Sequence, residues 1–187
     1  NELVPASWQA HHVVDPTVLV VWFEKKKGRV IQVVQASEVA GPHAGLFVRA
    51  MEAMDVEARE IARDALAASL VVKNLYIVGA NVLGLAVHGG TTGELATTHG
   101  ELTARVLREV LDIERSRFAG QGGFDDAVVM GRVHAAFLAD PGHGTVGRTA
   151  VERLTRARLR ARLAGLVTPE LDAVPGSLHH DHPRAEG

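Results

Sequence analysis

Cysteine is missing from all 187 residues of this chain. That excludes disulfides, thiolate metal centres and cysteine nucleophiles, and it leaves the redox compartment open. Aromatic side chains are scarce, at 4%, while Ala, Val, Leu, Gly and Arg dominate. Such a composition describes a helix-rich, Ala-packed protein rather than a sandwich or a barrel. A surplus of one charge sign is also wanting: the formal net charge is −2. No global field draws the chain to nucleic acid or to an anionic membrane, so nucleic acid is disfavoured as a partner. The longest stretch without a charge, 74–87, falls short of the roughly 18 apolar residues that argue a membrane-spanning helix, and no transmembrane segment is expected. Nothing reads as a secretory signal, which makes the cytoplasm the expected compartment.

What the chain does have is a run of apolar and small residues at 65–87, interrupted only by Ser69, Lys73, Asn74, Tyr76 and Asn81. It is too apolar to face water and must be buried against protein. Its Gly79, Ala80, Gly84 and Ala86 would let another backbone approach closely. With Leu83 and Leu85 they read as a packing or subunit interface. The run satisfies helix and buried-strand templates alike. Its density of Val and Ile favours a strand pair, 71–78 and 82–87, turning at Gly79 to Asn81. The helical alternative is one rod from residue 46 to about 87, stopped by Gly89 and Gly90.

The expected fold class is α+β and predominantly helical, with an N-terminal β-hairpin and about four helices, organised as an N-terminal arm (1–16), a single domain (17–167) and a disordered His-containing tail (168–187). The hairpin rests on β-branched runs at 17–23 and 29–35 flanking a loop that ends at Gly28. A loop is expected at 36–45. Apolar residues then recur at steps of four and three from Phe47 to Val72, which predicts a helix over 46–69, with Asp55 and Arg59 as an i,i+4 pair. Further helical patterns cover 101–118, 125–139 and 149–166. Thr98 with Glu101, and Thr149 with Glu152, have the spacing of capping boxes. The segment Thr91 to Leu95 is echoed at Thr97 to Leu102, a local duplication too short for a repeat architecture.

The stretch 142–149 resembles the phosphate-binding P-loop, with Gly144, Gly147, Arg148 and Thr149 as anion-site candidates. Its glycines would free backbone N–H groups at a helix N-terminus. Its context speaks against a nucleotide site: no strand precedes it, Arg148 stands where lysine is needed, and a glycine-rich turn between helices is the plainer reading. The stretch 76–86 likewise resembles a dinucleotide-binding turn, but Asn81 occupies the position of the middle glycine, which removes the close approach to pyrophosphate. His43, His88, His99 and His143 adjoin or lie in glycine-rich loops. Should those loops converge, the imidazoles could form an acid–base pair or a metal site. No H-E-x-x-H or helical carboxylate–histidine spacing supports a metal. His179, His180 and His182 would hold Ni²⁺ or Zn²⁺ only loosely. No cofactor is expected.

The last helical pattern carries Arg148, Arg153, Arg156, Arg158, Arg160 and Arg162. They split into two stripes that separate a Leu159, Leu163, Leu166 face from one of Ala150, Leu154, Ala157, Ala161 and Ala164, so two packing partners are implied. Together with Trp8 as an anchor in the arm, these features favour a non-enzymatic oligomerising or accessory subunit, partnered by copies of itself or by other proteins. A small-molecule or metal-dependent enzyme using the glycine-loop histidines is the alternative. A nucleic-acid module using the arginine helix ranks third.

Overall fold

The apolar run is a single helix. In the computed structural model, which describes residues 8, 10–25, 27–28, 30–119 and 123–176, the strands are β1 (Val18–Val20), β2 (Phe23–Glu24), β3 (Gln32–Val33), β4 (Ser37–Ala40) and β5 (Ala58–Glu60). The helices are α1 (Ala44–Glu52), α2 (Leu66–Ala86), α3 (Thr92–Ala96), α4 (Gly100–Arg117), α5 (Asp126–Ala139), α6 (Ala150–Leu163) and α7 (Pro169–Ala173). This is a helix-rich α+β fold, as composition and patterning predict. The strand pair at 71–78 and 82–87 does not form. β-propensity is a weak preference, and it yields when neighbours can cover a helix all round. Here α4, α5 and α6 pack against α2, and every α2 residue except Ala68, Lys73, Ile77, Asn81 and Ala86 is buried. By length and apolarity Arg63–Ala86 could cross a membrane, yet it is the central core element, with its apolar stretch 78% buried.

The helix expected over 46–69 ends at Glu52. Asp55 takes a φ of 55°, and the Val56 N–H returns to the Met51 carbonyl at 3.0 Å, a left-handed turn that stops the helix. Val56 is then buried. Residues 58–60 run parallel to β4, with Ser37 opposite Ala58 and Val39 opposite Glu60. Arg59 accordingly pairs with Glu38 and not with Asp55. The four-and-three spacing from 47 to 72 therefore joins α1, a strand and the start of α2 by coincidence of phase.

The hairpin is present but divided. Phe23 pairs with Val33 and Glu24 with Gln32, while the first half of the same run leaves for another sheet, Val18 opposite Ala40 and Val20 opposite Glu38. The order of that sheet is β1-β4-β5, so β4 lies inside the expected 36–45 loop. The split falls at Trp22, fully buried, whose N–H donates to the Ser37 hydroxyl at 3.0 Å.

Neither predicted capping box forms. Helix α4 starts behind His99 without a side-chain cap, and the box is made one duplicated segment earlier, by Thr91 and Glu94 on α3. Thr149 does sit at the N-cap of α6, but its hydroxyl accepts from Arg153 Nε at 3.0 Å. The tail expected from residue 168 begins in packed structure. Leu171 is fully buried, the Glu109 carboxylate accepts the N–H groups of Glu170 and Leu171 at 2.8 Å each, and Arg158 donates to the carbonyls of Leu171, Asp172 and Val174. His179, His180 and His182 lie outside the described residues. In the arm, Trp8 is half-buried against this chain's own core.

Candidate functional site

Lys73 and Tyr76 stand three residues apart on α2 and so share a face. That face looks toward the hairpin. Lys73 Nζ lies 4.1 Å from the centroid of the Trp22 ring and 5.2 Å from that of Tyr76. The Trp22 and Tyr76 rings meet edge-on at 5.2 Å, and Phe137 of α5 backs Tyr76 at 5.4 Å. Among the described residues no group hydrogen-bonds or ion-pairs with the ammonium. The indole N–H of Trp22 and the hydroxyl of Tyr76 are buried with no hydrogen-bond partner among the described residues. Each such orphan costs on the order of 1–3 kcal/mol unless something outside the chain satisfies it.

Acidic groups rim the cluster. Asp140 closes α5 and takes a hydrogen bond from Gln32 Nε2 at 3.2 Å. His143 Nδ1 is 3.4 Å from Asp140 Oδ2 and 4.0 Å from Glu24 Oε2, and the imidazole lies 6.5 Å from the Tyr76 ring. Burial pushes the Lys73 ammonium down to about 8, helped by the nearby charge of Arg153. Burial also pushes the Tyr76 hydroxyl up to about 12, with Asp140 and Glu24 adding to the effect. Lys73 thus titrates close to neutrality while Tyr76 remains a proton-bearing donor.

The loop resembling a P-loop is a strut for this cluster. Two of its amides are spent inside the chain: Gly147 N–H donates to Asn81 Oδ1 at 3.2 Å, and Thr145 N–H to the Gly90 carbonyl at 3.1 Å. Gly144 forms an isolated bridge with Thr91, and Thr92 N–H binds the His143 carbonyl at 3.0 Å. Of the set Gly144, Gly147, Arg148 and Thr149, the Gly147 N–H and the Thr149 hydroxyl are thus engaged within the chain, the latter by Arg153, and Arg148 is exposed. Gly84 lets the loop approach: a Cβ there would lie 2.5 Å from Thr145 Oγ1 and 2.9 Å from Val146 Cγ2.

Of the four glycine-loop histidines, His143 alone belongs to this cluster. His43 sits exposed ahead of α1, its N–H on Thr17 Oγ1 at 3.0 Å; His88 is exposed beyond α2; His99 precedes α4. Among the described residues no group of three or more metal-ligating side chains comes together. Gly79, Leu83, Gly84, Leu85 and Leu154, read from sequence as interface, are all buried within this chain, Gly79 against Leu107. Leu159 and Leu163 are exposed. Sequence reasoning passed over Lys73, Tyr76 and Trp22, although a lone lysine inside an apolar helix, three residues before the chain's single tyrosine, was a usable signal.

No family model matches the sequence, and no curated protein matches it. Among solved structures, the dimeric ketopantoate reductase of Staphylococcus aureus, described for its kinetic cooperativity, is similar at 21% identity and a TM-score of 0.46. The match covers 83% of this chain and 58% of that one. The chain therefore spans a little over half the length of that enzyme.

Proposed function

We propose that the chain binds a small molecule bearing a carbonyl or carboxylate oxygen at the cluster of Lys73, Tyr76 and Trp22, and that Lys73 exchanges a proton with it. One observation carries this reading: an ammonium set against two rings, with no anion supplied by the described residues, beside two buried donors that also lack acceptors among them. Ammonium, phenol and indole N–H all donate, so the complement is an acceptor oxygen. Glu24 and Asp140 at the rim repel polyanions, which favours a neutral carbonyl or a monoanion over a nucleotide. A lysine titrating at about 8 is matched to general acid–base work near neutral pH, and His143, held by Asp140, is a second group able to move a proton. The test is titration with acetate, pyruvate and malonate, read by intrinsic tryptophan fluorescence and thermal midpoint. A saturable response to acetate or pyruvate that disappears in Lys73→Met is expected; no response to any of the three overturns the reading.

A different observation favours a second reading, self-association as an oligomerising or accessory subunit. Leu159, Leu163 and Val167 stand 48%, 80% and 89% exposed, and apolar surface of this kind marks contacts. The 65–87 block does not contribute to it, because the chain's own helices cover that block.

A further inference from the structure

Twenty residues of this chain are Lys or Arg, and lysine supplies only four of them: three in a row at 25–27, and Lys73. The half-buried cation among the rings of α2 and the hairpin is thus a lysine in a chain whose cations are mostly arginines. A charge needed only to lie over aromatic faces is better supplied by arginine, which stacks on them and stays protonated when desolvated. What lysine has and arginine lacks is a proton it can lose, leaving a nucleophilic amine.

The surroundings of Lys73 favour that amine. Its Nζ has the Trp22 and Tyr76 rings at 4.1 and 5.2 Å, and among the described residues no carboxylate pairs with it. Burial disfavours the charged form, and the like charge of Arg153 works in the same direction. Desolvation beside a second cation is a general route to an activated lysine nucleophile. The groups that such a nucleophile needs stand around it. The Tyr76 hydroxyl is buried with no acceptor among the described residues and can hold a carbonyl oxygen. His143, with Nδ1 3.4 Å from Asp140 and its ring 6.5 Å from that of Tyr76, can pass protons.

We infer that Lys73 forms an imine with a small aldehyde or ketone held among Trp22, Tyr76 and His143. The inference rests on the binding reading above and gives it a covalent step. The Nζ lone pair bonds to the carbonyl carbon while the π pair of the C=O bond moves to oxygen, which takes up a proton as nitrogen releases one. The C–O bond of that carbinolamine then breaks, the C=N bond forms, and the carbonyl oxygen leaves as water with the two amine hydrogens. No oxidant or reductant is consumed. The experiment is reductive trapping of the full chain with propionaldehyde or pyruvate and sodium cyanoborohydride near neutral pH, read by intact mass and peptide mapping. The lysines at 25–27 serve as internal references. Alkylation at Lys73 is expected about tenfold faster than at any of the three. Lys73→Arg, which keeps the charge, should lose that adduct while its helical circular dichroism is unchanged. Labelling of Lys73 no faster than of 25–27, in protein whose tryptophan fluorescence still responds to acetate or pyruvate, overturns the imine and leaves the binding site standing. No fluorescence response and no preferential labelling overturn both.

Discussion

Two charged side chains drawn out of water, Glu38 and Lys73, are treated in opposite ways. Glu38 is 2% exposed, yet Arg59 and Arg132 reach its two oxygens at 2.5 and 2.7 Å and the Ser69 hydroxyl donates to it as well. Burial alone would raise its pKa; the donors from Ser69, Arg59 and Arg132 outweigh burial and hold it below the usual carboxylate value. Lys73 is offered only ring faces, and its pKa falls. The contrast separates structure from function. A buried charge whose partners are complete ties elements together, here β4, β5, α2 and α5. A half-buried charge whose partners are incomplete is, on the proposed reading, where a ligand completes the set.

The largest effect should come from breaking the complete center. Glu38→Ala strips two guanidinium groups and a hydroxyl of their shared acceptor, and a loss of about 2–4 kcal/mol is expected from urea midpoints. Both arginines are partly exposed and can rehydrate, which keeps the figure below that of a fully buried pair. The pH dependence follows from the lowered pKa. The contribution of Glu38 is present above the ordinary carboxylate value of 4.5 and lost as pH falls through the lower folded value. Wild type should therefore weaken in acid more steeply than the variant. A midpoint shift under about 1 kcal/mol would show that the center holds nothing together.

Next comes the frame of the incomplete center. Gly84→Ala sets a Cβ 2.8 Å from Thr145 Cβ and 2.9 Å from Val146 Cγ2. The 142–149 strut must then move, taking Asp140 and His143 away from Tyr76. A cost of about 1–3 kcal/mol is expected, with the fluorescence response to acetate weakened at full occupancy of folded protein. Retained stability with an unchanged response would show that the strut does not position the site.

Much of this architecture was legible in sequence where signals are local. Helices α4, α5 and α6 appear within one or two residues of the patterned segments at their N-termini, because 3.6-residue periodicity is a property of each segment alone. The buried face of α6 was legible at Ala150, Leu154, Ala157 and Ala161, which recur at helical steps, whereas Ala164, read onto the same face, lies past the helix end and is exposed. What failed was non-local. Strands β4 and β5 are four and three residues long and exist through pairing with each other and with β1. Helix α7 exists because Glu109 and Arg158 hold its two ends. The site failed for the same reason: Lys73 and Tyr76 were visible only as interruptions of an apolar run, and nothing local announces that Trp22 and Asp140 fold back onto them.

Replacing the incomplete charge itself should raise stability modestly. Lys73→Met swaps an unpaired cation for an apolar side chain of similar length among Trp22 and Tyr76, and a gain of about 1 kcal/mol is expected at neutral pH. The linkage gives the sign. The folded pKa of about 8 lies below the ordinary lysine value of 10.5, so between those values the unfolded chain binds more protons and stability rises with pH. That rise, measured by thermal midpoint from pH 8 to 10, should vanish in Lys73→Met. Above pH 10 the raised Tyr76 value works the other way, and stability is lost as pH climbs from 10 toward about 12. A variant that keeps the rise below pH 10 would assign it to another group.

Tyr76→Phe makes the smallest and most discriminating change. The ring contacts to Trp22 at 5.2 Å and Phe137 at 5.4 Å remain, and only a hydroxyl with no partner among the described residues is removed. If that hydroxyl waits for a ligand, deleting it relieves an unsatisfied donor, so stability should hold or rise by up to about 1 kcal/mol. The acetate response should weaken at the same time. Opposite movement of stability and binding is the signature of a group kept for a ligand, and Glu38, whose partners are all within the chain, cannot give it. A Tyr76→Phe variant that lost more than about 1 kcal/mol and bound acetate as before would place the hydroxyl with the structural groups, and the difference between the two centers would shrink to one of packing.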